Sequence, residues 1–264
     1  MRTINNLIDM KDRNVLITGA FGHIGRKITK TLYDLGARLI LVDHPSSDMS
    51  LEKSINYENH FIFKCDFESA EDRIILINKI KSKITSLSCL INNAAFVGTS
   101  NLDGWACDFE DQSTGTWRRA LEVNLITPFH LSREFQPELL RGKGANIINI
   151  TSIYSEFGPD WSLYENTNIG NPAAYSASKG GLTQLTRWLS TTVSPNIRVN
   201  AVSPGGIFRN QSDFFVKKYE DKVPLKRMAT EKDICGAIIF LATDMSEYIT
   251  GQIIRVDGGL SSTI

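Results

Sequence analysis

Short continuous apolar runs alternate along the chain with longer stretches in which apolar residues recur every three or four positions. The runs are NVLIT (14–18), RLILVD (38–43), HFIFKCD (60–66), LSCLINN (87–93), NIINIT (146–151), IRVNAVS (197–203) and QIIRVD (252–257). Their β-branched content predicts buried strands. Helical periodicity fills the intervals 23–35, 69–84, 114–140, 173–193 and 230–242. Strands alternating strictly with helices imply right-handed crossovers and a parallel sheet covered on both faces. No repeat, low-complexity tract or Pro/Gly-rich linker interrupts the pattern. It therefore predicts one doubly wound α/β domain over 1–264 with about seven strands.

Two segments break the rhythm. Residues 96–113 and 153–172 are polar, aromatic and rich in Gly, Asn and Asp, and each follows a predicted strand. Loops of this length inside a compact domain are often binding loops or lids. Both are expected at the carboxyl ends of strands, where open parallel sheets take their ligands.

Composition narrows the partners. The 264 residues carry 29 basic and 29 acidic side chains, with 42% hydrophobic and 22% charged residues. Zero formal charge argues against broad electrostatic binding to nucleic acid or an anionic membrane. The apolar stretch 234–242 has about half the length of a spanning helix. The opening MRTINNLIDMKDRN lacks the apolar core of a signal peptide. Four scattered cysteines and four histidines show no metal-type spacing. The expectation is a reduced, cytoplasmic, metal-free protein that binds no nucleic acid and no membrane.

The first predicted strand runs into TGAFGHIG (18–25). Glycines at 19, 22 and 25 permit a tight turn and close approach of backbone amides to a pyrophosphate, with the positive end of the next helix behind them. Phe21, His23 and Ile24 complete this candidate phosphate loop. Asp43, at the end of the second predicted strand, has the offset expected of an acid gripping adenosine ribose hydroxyls. The alternative is an ordinary strand–turn–helix with Asp43 as a cap or turn residue. The ordered series of strand, glycines, helix, strand and acid points to a dinucleotide site. A carboxylate there would repel a 2′-phosphate, favouring NAD(H) over NADP(H), with Arg26 and His44 as the nearby positive charges.

A second constellation is YSASK (175–179). On a helix, Tyr175 and Lys179 share a face. An ammonium beside a phenol favours the phenolate and lowers its pKa towards the working range, suiting the tyrosine to proton transfer. Ser152, after the strand ending at Thr151, can hydrogen-bond the same substrate oxygen. The alternatives are a surface Tyr–Lys pair and a helix-capping serine. Leu182, Leu185 and Leu189 form an apolar stripe, and Gly180–Gly181 suggest close packing by another element or subunit.

Together these pieces resemble the short-chain dehydrogenase/reductase superfamily along nearly the whole chain. They are the glycine turn, Asp66 after the third strand, NNAA (92–95), Asn124 within LEVNL, Ser152, YSASK, PGGI (204–207) and the closing VDGG (256–259). The resemblance implies a Rossmann-type domain and an NAD(P)-dependent enzyme interconverting a secondary alcohol and a ketone. It implies Tyr175 as general acid/base and Lys179 holding the nicotinamide ribose while depressing the Tyr175 pKa. Ser152 would steady the substrate oxygen, and Asn124 would help hold a water that connects Lys179 to solvent. Asp66 and Phe67 would lie at the adenine, Asn92 and Ala94 along the cofactor, and Pro204, Gly205 and Ile207 near the carboxamide. A homotetramer or dimer is also implied, with the Tyr175 helix and the carboxy-terminal strand near interfaces.

The chain departs from the family in three places. The GxxGxxG spacing, with His23, is similar to the extended branch of sugar epimerases and dehydratases, whose chains are usually longer. Arg209 stands where the family often has threonine. The interval from Ser152 to Tyr175 is longer than usual, and its Asp160, Trp161, Tyr164 and Glu165 suit a polyhydroxylated ligand, or else an oligomer contact or self-packed loop. Residues 208–226 fall where the family has a lid. There Phe214, Phe215 and Tyr219 would cover substrate or pack as a helix, and Lys217, Lys218 and Arg227 would meet a phosphate or solvent. NPAAYSASKGG, SPGGIFRNQ, VPLKRM and YITGQIIRVDGG resemble reductases of bacterial surface-sugar and nonulosonic-acid (flagellin-glycan) pathways. The expected substrate is a sugar or nucleotide-activated sugar. A retained-NAD epimerase or dehydratase and a catalytically silent dinucleotide-binding regulator are the competing functions.

Overall fold

A computed structural model of the chain describes residues 3–50, 54–98, 100, 102–165, 167 and 169–263. Positions 99 and 101 of the first long loop, and 166 and 168 of the second, lie outside them. The strands are β1 (Asn14–Thr18), β2 (Arg38–Asp43), β3 (Phe61–Lys64), β4 (Cys89–Asn92), β5 (Asn146–Ile150), β6 (Arg198–Pro204) and β7 (Ile253–Val256). They form one parallel sheet in the order β3-β2-β1-β4-β5-β6-β7. The order reverses direction between β1 and β4, which opens a crevice at their carboxyl ends.

The helices are α1 (Ile4–Ile8), α2 (His23–Asp34), α3 (Ala70–Lys81), α4 (Thr114–Leu121), α5 (Thr127–Glu134), α6 (Gln136–Leu140), α7 (Ala173–Thr192), α8 (Asp213–Lys222) and α9 (Glu231–Ala242). Strand residues alternate between two cores. Val15, Ile17, Leu39 and Leu41 meet Ile28 and Leu32 of α2 and Ile234 and Ile238 of α9. Leu16, Ile40, Val42 and Leu90 meet Leu76 and Ile80 of α3, Leu131 of α5 and Leu189 of α7. Burial on both faces explains why β1, β2, β4, β5 and β6 read as continuous apolar runs.

Three expectations need correction. The outer strands β3 and β7 are only partly buried, since each has a single neighbour and an incompletely covered face. The expected 114–140 helix is broken by a π turn (Glu122–Ile126) and then divides again between α5 and α6. Pro128 and Pro137 stand in the first turns of α5 and α6, where their missing amide donors are tolerated. The 153–172 segment is not simply an open loop: Leu163 and Tyr164 pack with Phe215, Tyr219 and Val223 in a third cluster.

Candidate active site

A cleft of about 540 Å³ runs from the glycine turn over the ends of β1, β2 and β4. Gly19, Gly22, His23, Ile24, Asp43, Asp66, Phe67 and Ala94 all line it. Gly19 has φ +62°, and a Cβ there would stand 2.9 Å from the Ala94 Cα. At Gly25 a Cβ would lie 2.0 Å from the Gly19 carbonyl oxygen. Glycine at these two positions lets the turn fold back under α2, whose amino-terminal end reaches the cleft at His23. The Thr18 hydroxyl accepts hydrogen bonds from the amides of Asn93 (3.0 Å) and Ala94 (3.1 Å). Asn93 Nδ2 donates to the carbonyls of Thr18 (3.0 Å) and Gly19 (2.9 Å). The two loops that form the cleft floor are thereby joined.

Phe21, Gly25 and Asn92 do not line the cleft. The Phe21 ring enters the core and its amide donates to Asp43 Oδ2 at 2.7 Å. Gly25 acts by permitting the turn. Asn92 is the last residue of β4; its Nδ2 donates to Asn149 Oδ1 at 2.8 Å inside the sheet. Strand alternation turns its neighbour Asn93 towards the cleft instead, a signal present in the sequence but unused. Asp43 Oδ1 also accepts from the His44 amide (2.8 Å) and the Ser47 hydroxyl (2.6 Å). Arg26 is drawn away from Asp43, donating to the carbonyls of Ser50 (2.6 Å) and Asp48 (2.5 Å).

The second arm of the cleft shares Ile24, Asn93 and Arg209 with the first and ends on Ser152, Tyr175 and Lys179. The close of β5 and the first turns of α7 bring these three together. The buried Lys179 donates through Nζ to the Ile150 carbonyl at 2.7 Å. Burial pushes its pKa down to about 7. The Tyr175 pKa is raised from its ordinary value, because burial outweighs the Ser152 hydrogen bond and the positive charge of Arg209, both of which lower it. The expected depression by Lys179 is not found. An ammonium drawn down to about 7 is only partly charged at neutral pH, and its proton donor is aimed at Ile150.

Asn124 sits in the π turn, fully buried, and does not line the cleft. Its Oδ1 accepts from the Phe96 amide (2.8 Å), and Nδ2 donates to the Phe96 carbonyl (3.0 Å) and the Ser178 hydroxyl (3.0 Å). Its carboxamide thus fastens the loop after β4 to α7, one residue from Lys179. Both Nδ2 hydrogens are used, so this side chain offers no further donor to a water. π turns recur at functional sites because they displace the local backbone.

Pro204, Gly205 and Ile207 line the second arm, and the Ile207 carbonyl accepts from Gln211 Nε2 at 2.9 Å. Of the four residues picked out in the long loop, only Tyr164 reaches this arm. Asp160 pairs with Lys222 at 2.5 Å and Glu165 with Lys218 at 3.0 Å, tying the loop to α8. Trp161 is exposed against Tyr164. Phe215 and Tyr219 line the arm, whereas Phe214 faces outward beneath the Lys218 ammonium. Arg227 is paired with Asp233 at 2.7 Å, and Lys217 does not line the cleft. The arm also contains Tyr154, Asn171 and Gln211, which had no distinguishing sequence signal. Tyr154 and Tyr164 join hydroxyl to hydroxyl at 2.5 Å. Among the described residues no group of three or more His, Cys, Asp and Glu is placed to hold a metal ion.

A family model described as enoyl-(acyl carrier protein) reductase matches residues 19–261. The chain belongs to the short-chain dehydrogenase/reductase superfamily. It is 30% identical to the post-translational flagellin modification protein A of Campylobacter coli, over 95% of this chain and 98% of that one. It is 32% identical to a 3-oxoacyl-(acyl-carrier-protein) reductase of Rickettsia typhi, over 96% and 99%. The solved short-chain dehydrogenase of Leptospira borgpetersenii with bound NAD+ superimposes with a TM-score of 0.86 at 30% identity, covering 99% of this chain and 96% of that one. Membership makes this short-chain protein an NAD(P)-dependent oxidoreductase acting on CH–OH groups. No described helix is long and apolar enough to cross a membrane.

Proposed function

We propose that the protein is an NAD(H)-dependent oxidoreductase that interconverts a secondary alcohol and a ketone on a sugar or nucleotide-activated sugar. The observation that carries the reading is the continuity of the cleft, from the glycine turn and Asp43 to Ser152, Tyr175 and Lys179. The fit to a dinucleotide rests on the turn at Gly19 and Gly25, the helix end behind it, and the acid closing β2. When bound, the dinucleotide supplies or accepts the reducing equivalent at the substrate carbon. Gly22, His23 and Ile24 would hold its phosphates, Asp43 its ribose, and Asp66 and Phe67 its adenine. Ala94, Asn93, Pro204, Gly205 and Ile207 would line the remainder.

With its pKa raised, Tyr175 is a protonated phenol at neutral pH and is ready to donate to the oxygen of a ketone undergoing reduction. The Ser152 hydroxyl, which lines the arm with Tyr175, would orient that oxygen and stabilise its developing charge. Lys179, near half-protonation at neutral pH, would hold the nicotinamide ribose and replace the tyrosine's proton. Asn124 would hold α7 in register with the loop after β4. NAD(H) is favoured because Asp43 presents negative charge where a 2′-phosphate would sit, while Arg26 is engaged elsewhere.

A polyhydroxylated substrate is supported by the phenols of Tyr154, Tyr164 and Tyr219 and the amides of Asn171 and Gln211 around the substrate arm. A cytoplasmic homo-oligomer is the assembly this reading favours. The test is Tyr175→Phe: it is expected to keep NADH affinity within about twofold and to lose at least about 10³-fold in NADH oxidation with a responsive ketone. Full activity in Tyr175→Phe would refute the assignment. Product formation without net NADH change would move the chain to epimerase or dehydratase chemistry.

A further inference from the structure

Among the described residues, Arg209 is the only charged side chain shared by the two arms. It extends from the segment after β6, three-quarters buried. The backbone beneath it is fixed: Gln211 Oε1 accepts from the Arg209 amide at 2.6 Å, while Gln211 Nε2 donates to the Ile207 carbonyl. Among the described residues no acceptor lies within hydrogen-bond distance of the guanidinium. Its buried Nε faces Glu231 Oε1 at 3.6 Å, beyond the 2.7–2.9 Å of a charge-assisted hydrogen bond. Glu231 therefore offsets the charge from the Nε side and leaves the two terminal nitrogens without an acceptor.

The surrounding wall is short of negative charge. Among the described residues no Asp or Glu lines the substrate arm, and its other cation, Lys179, is turned onto Ile150. On the wall, Asn171 is more than nine-tenths buried, and its Nδ2 also lacks a partner. A buried donor without an acceptor costs free energy that a ligand recovers by supplying one. The terminal nitrogens of the Arg209 guanidinium, in a wall that also holds the unsatisfied Asn171 amide, are complementary to an anion bearing several acceptor oxygens. The glycine turn and the α2 amino terminus already provide for cofactor phosphates at the far end of the cleft. Arg209 and Tyr175, by contrast, line the same arm.

We infer that Arg209 is a specificity-determining residue that receives a carboxylate on the substrate, making a polyhydroxy carboxylic acid or its keto form the preferred substrate class. This rests on the oxidoreductase reading above and narrows it. A carboxylate fits the planar fork of an arginine through two parallel hydrogen bonds, which a lysine cannot reproduce.

The test uses the full chain saturated with NADH, whose own affinity is measured first. D-Gluconate and D-glucitol share their chain length and most of their hydroxyl groups and differ at the charged end. Calorimetry is expected to show gluconate bound about 30-fold more tightly than glucitol. Arg209→Gln should remove that preference while leaving NADH affinity within about twofold, and Arg209→Lys should restore part of it. The inference is overturned by equal binding of the two probes, by no binding of gluconate, or by a parallel loss of NADH affinity in Arg209→Gln. That last result would give Arg209 to the cofactor's diphosphate. Failure of the wild-type chain to bind NADH would instead remove the oxidoreductase reading on which the inference stands.

Discussion

Asp43 closes β2 with most of its hydrogen-bonding capacity in use. Three donors, from Phe21, His44 and Ser47, meet its two oxygens, leaving room for about one more on Oδ2. One ribose hydroxyl can be accepted there, but a 2′-phosphate would meet a fixed negative charge. Asp43→Ala is expected to raise the NADPH-to-NADH affinity ratio at least about tenfold in a fluorescence titration, and an unchanged ratio would contradict the assignment. Lys179 makes a prediction of a different kind. Its folded pKa of about 7 lies below the unfolded value, so between these two pH values the unfolded chain holds the extra proton. The linked contribution to stability is present above the unfolded pKa and is lost as pH falls towards 7. Lys179→Met should therefore raise Tm at pH 6 by about 3 °C or more, with the gain shrinking as pH rises to 10. It should also abolish turnover. A Tm difference independent of pH would show that the lysine carries no such burial penalty.

Gly25 and Gly22 separate the needs of folding from those of binding at the level of the β1–α2 unit. A methyl group at Gly25 would collide with the backbone of Gly19 and Ala20, so no rotamer change relieves it. Gly25→Ala should cost about 3 kcal/mol, lowering Tm by about 6–12 °C. Gly22 has ordinary φ, and an added Cβ would come no closer than 3.3 Å to the Gly19 carbonyl. Gly22→Ala should leave Tm within about 3 °C and weaken dinucleotide binding, since this residue faces the cleft. Thermal melts with and without NADH separate the two effects. The strands buried on both faces were legible as apolar runs, as were the glycine turn, Asp43 and the YSASK face of α7. Less legible was whatever depends on direction. Asn92 and Asn93 differ only in which side of β4 they face, and the π turn at Asn124 is invisible to a helical period. Of Asp160, Trp161, Tyr164 and Glu165 in the long loop, Tyr164 reaches the cleft, and it is joined there by Tyr154 and Asn171, which the sequence did not single out. The two tyrosines are placed by packing with Phe215 and Tyr219 of α8, which sequence separation conceals.

Across the whole molecule, the strand order reverses between β1 and β4 and places both arms of the cleft at the carboxyl ends of the strands. The proposed cofactor residues come mainly from the β1, β2 and β4 side, with Pro204, Gly205 and Ile207 after β6, and the Ser152–Tyr175–Lys179 group from the β5–α7 side. Substitution of Tyr175 is therefore expected to leave dinucleotide binding intact. The most direct measurement is a titration of wild type and Tyr175→Phe with NADH and NADPH, followed by addition of keto-sugars, keto-sugar acids and a 3-oxoacyl thioester. Both proteins should bind NADH more tightly than NADPH, and only wild type should oxidise it, with a polyhydroxylated ketone. Failure of either dinucleotide to bind, or equal oxidation by Tyr175→Phe, would contradict the account.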